Sequence, residues 1–187
     1  GQMIIMLMSL TVAIGILSSI ALFSDRLQKS LDAESKEFLG GDLKFESSYE
    51  LDESVIPKID FDLSKIYVFG SVLSFGDEFR LATVKSVDMN YPLEGEIELN
   101  NAINNYFVSA PPKRGEIWLD KRILDFLGVE IGKNISLGDR DFLLSNTIVN
   151  EPDRGSSSFA FAPRAIINSL DLEETNVIKP GSRVRYM

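Results

Sequence analysis

Residues 3–23 read MIIMLMSLTVAIGILSSIALF, without one charged side chain. At about 1.5 Å per residue, a helix of this length spans roughly the ~30 Å hydrocarbon core of a bilayer. The non-apolar members, Ser9, Thr11, Gly15, Ser18 and Ser19, are tolerated in such a helix. A cleavable signal peptide is one rival reading. It wants a basic leading region, a shorter apolar core and a small-x-small cleavage site. Nothing basic precedes Met3, and Ala21-Leu22-Phe23 is a poor cleavage site. A buried helix of a soluble protein is the other rival. The preferred reading is a transmembrane helix over residues 3–23. Thr11, Gly15 and Ser19 lie four apart and place small residues on one face, where a second membrane helix can approach closely.

Residues 24–39, SDRLQKSLDAESKEFL, continue a helical period. Leu27, Leu31 and Phe38 fall on one face together with Glu34, and no Gly or Pro intervenes before Gly40-Gly41. The expectation is an amphipathic stalk that prolongs the membrane helix and can carry motion from one end to the other.

All 28 acidic and 19 basic side chains lie beyond residue 24, and the net charge of −9 repels phosphate backbones. Nucleic-acid binding is therefore not expected. The chain has no Cys, which removes disulfides, thiolate metal sites and thiol nucleophiles. It has no His either, which removes Ser-His-Asp hydrolysis and His-ligated zinc or haem. Residues 32–62 hold much of the negative charge; a solvated face is the plain reading, a docking surface for a basic partner the sharper one.

Beyond Gly40-Gly41 the pattern changes to period two. Residues 43–47 read as a short strand, and residues 50–62, with Pro57, as a loop or one helical turn. Residues 65–75 and 78–87 flank Gly76-Asp77 and form the clearest hairpin in the chain. Strands are expected at 96–99, 116–119, 135–137, 141–149, 159–161 and 182–187, with residues 100–114 as a loop. Asp120 caps a helix over 121–127 that Gly128 ends. A second helix is expected over 163–170 and a turn at 172–175. Runs of strands with isolated short helices indicate α+β. Trp118 is expected in the core.

The order of parts resembles the first membrane helix and first extracytoplasmic domain of FtsX/MacB-type ABC transporter permeases. The residues carrying the resemblance are Val84-Lys85-Ser86-Val87-Asp88 and Tyr91-Pro92-Leu93-Glu94-Gly95-Glu96, then Gly128 and Gly132 in Leu127 to Lys133. Glu151-Pro152-Asp153-Arg154-Gly155, Ala162-Pro163-Arg164 and Pro180-Gly181-Ser182-Arg183-Val184 complete the set. Within the family it is most similar to the large permease of a lipid-related exporter encoded beside an ATPase and a lysophospholipase or thioesterase. The residues correspond to one module of such a permease.

That resemblance implies a membrane-proximal base from residues 25–95 and 150–187 and a β-rich inserted subdomain over 96–149. It also implies a bacterial cytoplasmic membrane location, with the body on the extracytoplasmic (periplasmic) side. The partners would be other transmembrane helices and a separate ABC ATPase subunit. The body would couple ATP hydrolysis to export or extraction of a lipid-like substrate by mechanotransmission. An anchored scaffold that activates an extracytoplasmic enzyme is the alternative, and an anchored hydrolase a third reading.

Catalysis without His or Cys would fall to carboxylates, Ser/Lys or a bound metal. Glu151 and Asp153 flank Pro152, and Asp139 and Asp141 flank Arg140, but no EF-hand spacing occurs; solvated turns explain both pairs. Ser71 follows Gly70 without a G-x-S-x-G elbow, and no phosphate-loop motif is present. The serine-rich residues 155–161, with two Phe, read as a loop at a strand edge or as a surface for a lipid chain or partner. No catalytic, cofactor or metal residues are expected.

Overall fold

The computed structural model describes residues 1–39, 43–49, 62–154, 162–179 and 181–187, with the side chains of 32–39 outside the description. Helix α1 (Gln2–Leu39) is unbroken, so the apolar run and the polar stretch after it form one rod. Its length, about 57 Å at 1.5 Å per residue, exceeds the hydrocarbon core by roughly the length of the polar stretch. The apolar part is long and hydrophobic enough to cross a membrane, and it is solvent-exposed throughout. Ser9, Thr11 and Ser19 turn their hydroxyls back onto the carbonyls of Met6, Leu7 and Gly15, which satisfies them without water. On the stalk, Leu27 and Leu31 are exposed and Lys29 pairs with Asp25 one turn back.

The body is one mixed sheet with short helices. Strands β1 (Ile66–Phe75) and β2 (Glu78–Val87) form the expected hairpin about Gly76-Asp77, with Gly76 at φ +59° in the left-handed region. There follow β3 (Ile97–Asn100), β4 (Asn105–Val108) and β5 (Glu116–Asp120). Helix α2 (Lys121–Leu127) starts where Asp120 accepts from Arg122 N and stops where left-handed Gly128 donates to the Leu124 carbonyl. Next come β6 (Asn134–Leu137), β7 (Arg140–Asn150) and β8 (Arg164–Asn168), then a 3-10 turn (Ser169–Asp171), α3 (Leu172–Thr175) and β9 (Val184–Tyr186).

The strand order is β4-β3-β7-β5-β8-β2-β1-β6, with β9 beside β1. Because β6 also pairs with β7, six of these strands close into a ring. Alternate residues then serve two cores. Phe69, Leu73, Val84, Ile117, Leu119, Leu137, Phe142 and Ile167 fill the ring. Val87, Tyr91, Ile97, Leu99, Trp118, Ile148 and Ile166 pack on its outer face.

Three expectations need correction. Residues 163–170 are not a helix: Arg164–Asn168 is a central strand between β2 and β5, where consecutive Ile166 and Ile167 face opposite cores. The expected loop over 100–114 contains β4, whose Tyr106 and Val108 pack inward at period two. Residues 43–47 make no ladder; only Ser47 bridges, to Tyr186. The expectations for residues 50–61 and 155–161 lie outside the described residues.

Candidate functional site: the joint and its buried ion cluster

The segment that follows α1 and the last residues of the sequence meet at one place. Ser47 N donates to the Tyr186 carbonyl (2.9 Å) and Tyr186 N to the Ser47 carbonyl (2.8 Å). Met187 and Ile66 exchange a second pair of backbone bonds, both 2.9 Å. Arg185 Nε reaches Glu46 Oε1 at 2.9 Å, and Tyr186 meets Tyr67 edge-on at 5.6 Å between ring centroids. Asp88 fastens the neighbouring turn, accepting from Ser64 Oγ and Lys65 N, both at 2.7 Å.

Beside this joint, on the outer face of β2, lies Lys85, a cation only 1% exposed in the buried second half of the strand. Burying an ammonium is costly unless it is paired and hydrogen-bonded. Lys85 Nζ donates to Glu151 Oε1 (2.7 Å), to both oxygens of Asp153 (2.8 and 2.9 Å) and to Tyr91 Oη (2.7 Å). The Tyr91 hydroxyl also contacts Glu151 Oε1 and Asp153 Oδ1, at 3.3 and 3.1 Å. Arg164, the first residue of β8, adds a bond from Nη1 to Glu151 Oε1 (3.2 Å). Two cations thus balance two carboxylates inside the protein.

The electrostatics follow from burial set against charge. Burial raises the Glu151 pKa, but Lys85 and Arg164 outweigh it and the net direction is down. Burial drives the Tyr91 phenol well above its ordinary value, and the carboxylates of Glu151 and Asp153 push the same way, so it stays neutral. Lys44, on the segment that follows the stalk, is lowered chiefly by burial, with the Asp153 carboxylate opposing.

The segment holding the two carboxylates is tied down a second time. Arg154 Nη2 reaches Asp120 Oδ2 at 2.6 Å, and Arg122 Nη2 the same atom at 2.8 Å. Burial raises the Asp120 pKa, but hydrogen bonds from Arg122 and Arg154 bring it down to about 2. An open groove of about 880 Å³ adjoins this carboxylate, with Leu124, Ile131 and Val149 among its walls. A separate buried acid, Asp171, accepts from Gly115 N (2.7 Å) and pairs with Arg114 and Arg140.

Of the residues singled out from sequence, Tyr91, Glu151, Asp153 and Arg164 come together, and buried Pro152 lies between the two acids. Glu151 and Asp153 were expected in a solvated turn; they are buried because Lys85 and Arg164 supply the charge that water would. Pro92 follows Tyr91 through a cis peptide. Gly128 and Gly132 serve turns at φ +61° and +92°, and Gly181 takes φ +93°. Gly181 and Arg183 are exposed, away from the cluster, and Pro180 and Phe38 lie outside the described residues or side chains. Thr11, Gly15, Ser19, Leu27 and Leu31 belong to α1. Lys85 carried no assigned role in the sequence; the only local hint is a Lys between Val84 and Val87 in the last residues of a strand. Among the described residues no group of three or more acidic side chains is placed to hold a metal ion.

One curated protein matches almost the whole chain. The uncharacterized ABC transporter permease YbbP of Escherichia coli (strain K12) is 30% identical over 188 residues, covering 99% of this chain. This chain is related to one segment of an ABC transporter permease. It spans 23% of that relative's length. The chain also has a partial likeness to the crystal structure of the periplasmic region of MacB from Actinobacillus actinomycetemcomitans. The TM-score is 0.43 at 13% identity, over 71% of this chain and 61% of the other. No protein-family model matches the chain.

Proposed function

We propose that this chain is the extracytoplasmic module of an ABC transporter permease, anchored in the bacterial cytoplasmic membrane by α1. A separate ATPase subunit supplies ATP hydrolysis from the cytoplasmic side. The body converts the resulting motion into movement of a hydrophobic, lipid-like substrate. The single observation that supports this most is the joint: α1 runs unbroken towards the body, and the chain's return is hydrogen-bonded beside its arrival through Ser47 and Tyr186. A displacement of the stalk therefore reaches both connections at once. The Lys85 cluster stiffens that region, because Tyr91, the 151–154 segment and Arg164 converge on one buried point.

These 187 residues contain no Cys, so single labels can be placed within them once any Cys elsewhere in the full-length permease has been replaced. In the full-length permease reconstituted with its ATPase, spin labels at Leu27→Cys on the stalk and Leu81→Cys on the body should both change spectrum on ATP addition. Both positions are exposed, so the labels do not disturb packing. A body label that stays unchanged through the ATP cycle while the stalk label responds would overturn mechanotransmission and favour a passive scaffold.

A further inference from the structure

Strands β5 and β8 run antiparallel, with Ile117, Trp118 and Leu119 opposite Ile167, Ile166 and Ala165. The next step of that register sets Asp120 opposite Arg164. Trp118 and Ile166 both lie in the outer cluster, so Asp120 and Arg164, two residues along each strand, share the outer face. Directly opposed residues have their Cβ atoms about 5 Å apart, close enough for an acid and an arginine to pair. Here the pair is not made. Asp120 Oδ1 accepts from Arg122 N and Nε (both 3.0 Å), and Oδ2 from Arg122 Nη2 and Arg154 Nη2 (2.8 and 2.6 Å).

Arg164 is left short. Its side chain is 3% exposed, and Nη1 has Glu151 Oε1 at 3.2 Å, an oxygen that Lys85 holds more closely at 2.7 Å. Nε and Nη2 are buried and have no partner among the described residues. These two N–H groups point the same way along one edge of the guanidinium and together fit the two oxygens of one carboxylate. Burying a charged donor without an acceptor is costly. The carboxylate that the register places beside that edge belongs to Asp120.

The consequence falls on the groove beside Asp120. Lys121, Arg122 and Arg154 bring three positive charges to its lining, and Asp120, Asp125 and Glu130 three negative ones. With Asp120 turned to Arg164, the lining holds a surplus of one positive charge, and Arg122 and Arg154 lose the carboxylate they share. A monoanion entering the groove replaces it on both, since arginine suits two-oxygen anions. Leu124, Ile131 and Val149 continue the groove as apolar wall, and its volume of about 880 Å³ fits a small organic ligand. A carboxylate on an alkyl chain meets both demands.

We propose that this groove binds a single-chain anionic amphiphile, whose head takes Arg122 and Arg154 while Asp120 passes to the Nε–Nη2 edge of Arg164. At rest Asp120 keeps its present partners because it also caps α2. The proposal rests on the reading of a lipid-like substrate for the class of ligand, and gives that substrate a charge and a place.

The test uses the 187-residue chain in nanodiscs without the ATPase, so its outcome is independent of the labelling experiment on transmission. The probe is octanoate, with acetate as the bare head and octyltrimethylammonium as the same chain with the opposite charge. NMR reads the methyl groups of Leu124, Ile131 and Val149 and the Nε–H signal of Arg164. Octanoate should shift both, and acetate and octyltrimethylammonium should each bind at least about tenfold more weakly. Arg154→Gln should weaken octanoate binding by at least about tenfold. Asp120→Asn keeps the fold, because Asn caps a helix as well as Asp does. It should bind octanoate at least about threefold more tightly, since no carboxylate has to be displaced, and its Arg164 signal should not respond. Silence at the methyl groups overturns the proposal, as does equal binding of acetate or of the cationic probe. Methyl shifts with an unmoved Arg164 signal in the unaltered chain, or weaker binding by Asp120→Asn, show that no exchange occurs, and the proposal falls.

Discussion

At the scale of single residues, the body depends on charges it has taken out of water. Lys85→Met removes the cation bonded to both Glu151 and Asp153 and leaves them buried, with Arg164 bonded to Glu151 and the charges of Arg154 and Lys44 nearby. Removing one partner of a buried ion pair costs about 3–5 kcal/mol. The body's denaturant midpoint should fall accordingly, and Lys85→Arg, which keeps the charge, should lose less. The pH dependence has a definite sign. Glu151 has a folded pKa below its unfolded value, so its contribution is present above the unfolded pKa, about 4.3, and is lost as pH falls through the folded one. Asp120, moved from 3.8 to about 2, acts in the same direction. Thermal stability should hold from near neutrality down to about pH 5 and then decline steadily, and Glu151→Gln should flatten that acid limb. A decline that begins above pH 6 would contradict this account. Gly138 gives a steric prediction: a Cβ there would lie 2.0 Å from the Thr175 carbonyl oxygen, on a backbone at φ +60°. Gly138→Ala should destabilise by more than about 1 kcal/mol, visible as a lower melting temperature.

At the scale of elements, α1 is the testable part. Leu31→Pro removes a backbone donor and clashes one turn back, at about 3 kcal/mol or more inside a helix. Far-UV circular dichroism should lose helix while the body's melting barely moves, since both cores lie in the sheet. In the full transporter, ATP hydrolysis should persist and the ATP-driven response of a label at Leu81→Cys should disappear. If that response survives, the stalk is a tether.

What could be read in advance divides along the same elements. The β1–β2 hairpin and α2 were legible because their signals are local: a Gly-Asp turn between apolar runs, and an Asp cap with a Gly stop. β8 was misread because Ile166-Ile167 within a short run fits either period, and only pairing with β2 and β5 decides it. β4 was missed because an Asn-rich turn before it and Ser109-Ala110-Pro111-Pro112 after it mask a four-residue strand. In the candidate site, Tyr91, Glu151, Asp153 and Arg164 were quoted as separate motif positions. Nothing in their spacing shows that all four meet at Lys85, because the convergence comes from sheet order.

At the scale of the whole molecule, the ring of strands makes one body from segments far apart in the chain. β1, β2 and β8 come from the two stretches expected to form a base, while β5, β6 and β7 come from between them, and these pair across at β5–β8 and β1–β6. Force delivered to any strand of the ring is therefore shared by its neighbours.

The meeting of Ser47 with Tyr186 has a consequence for how such a protein can be altered. A domain whose ends touch occupies almost no length of the chain that carries it. From the bilayer's side, the whole body is equivalent to a tight turn. It could be exchanged for a larger body, a smaller one or a few glycines, without changing how far apart residues 47 and 186 stand. Engineering it is then a matter of grafting.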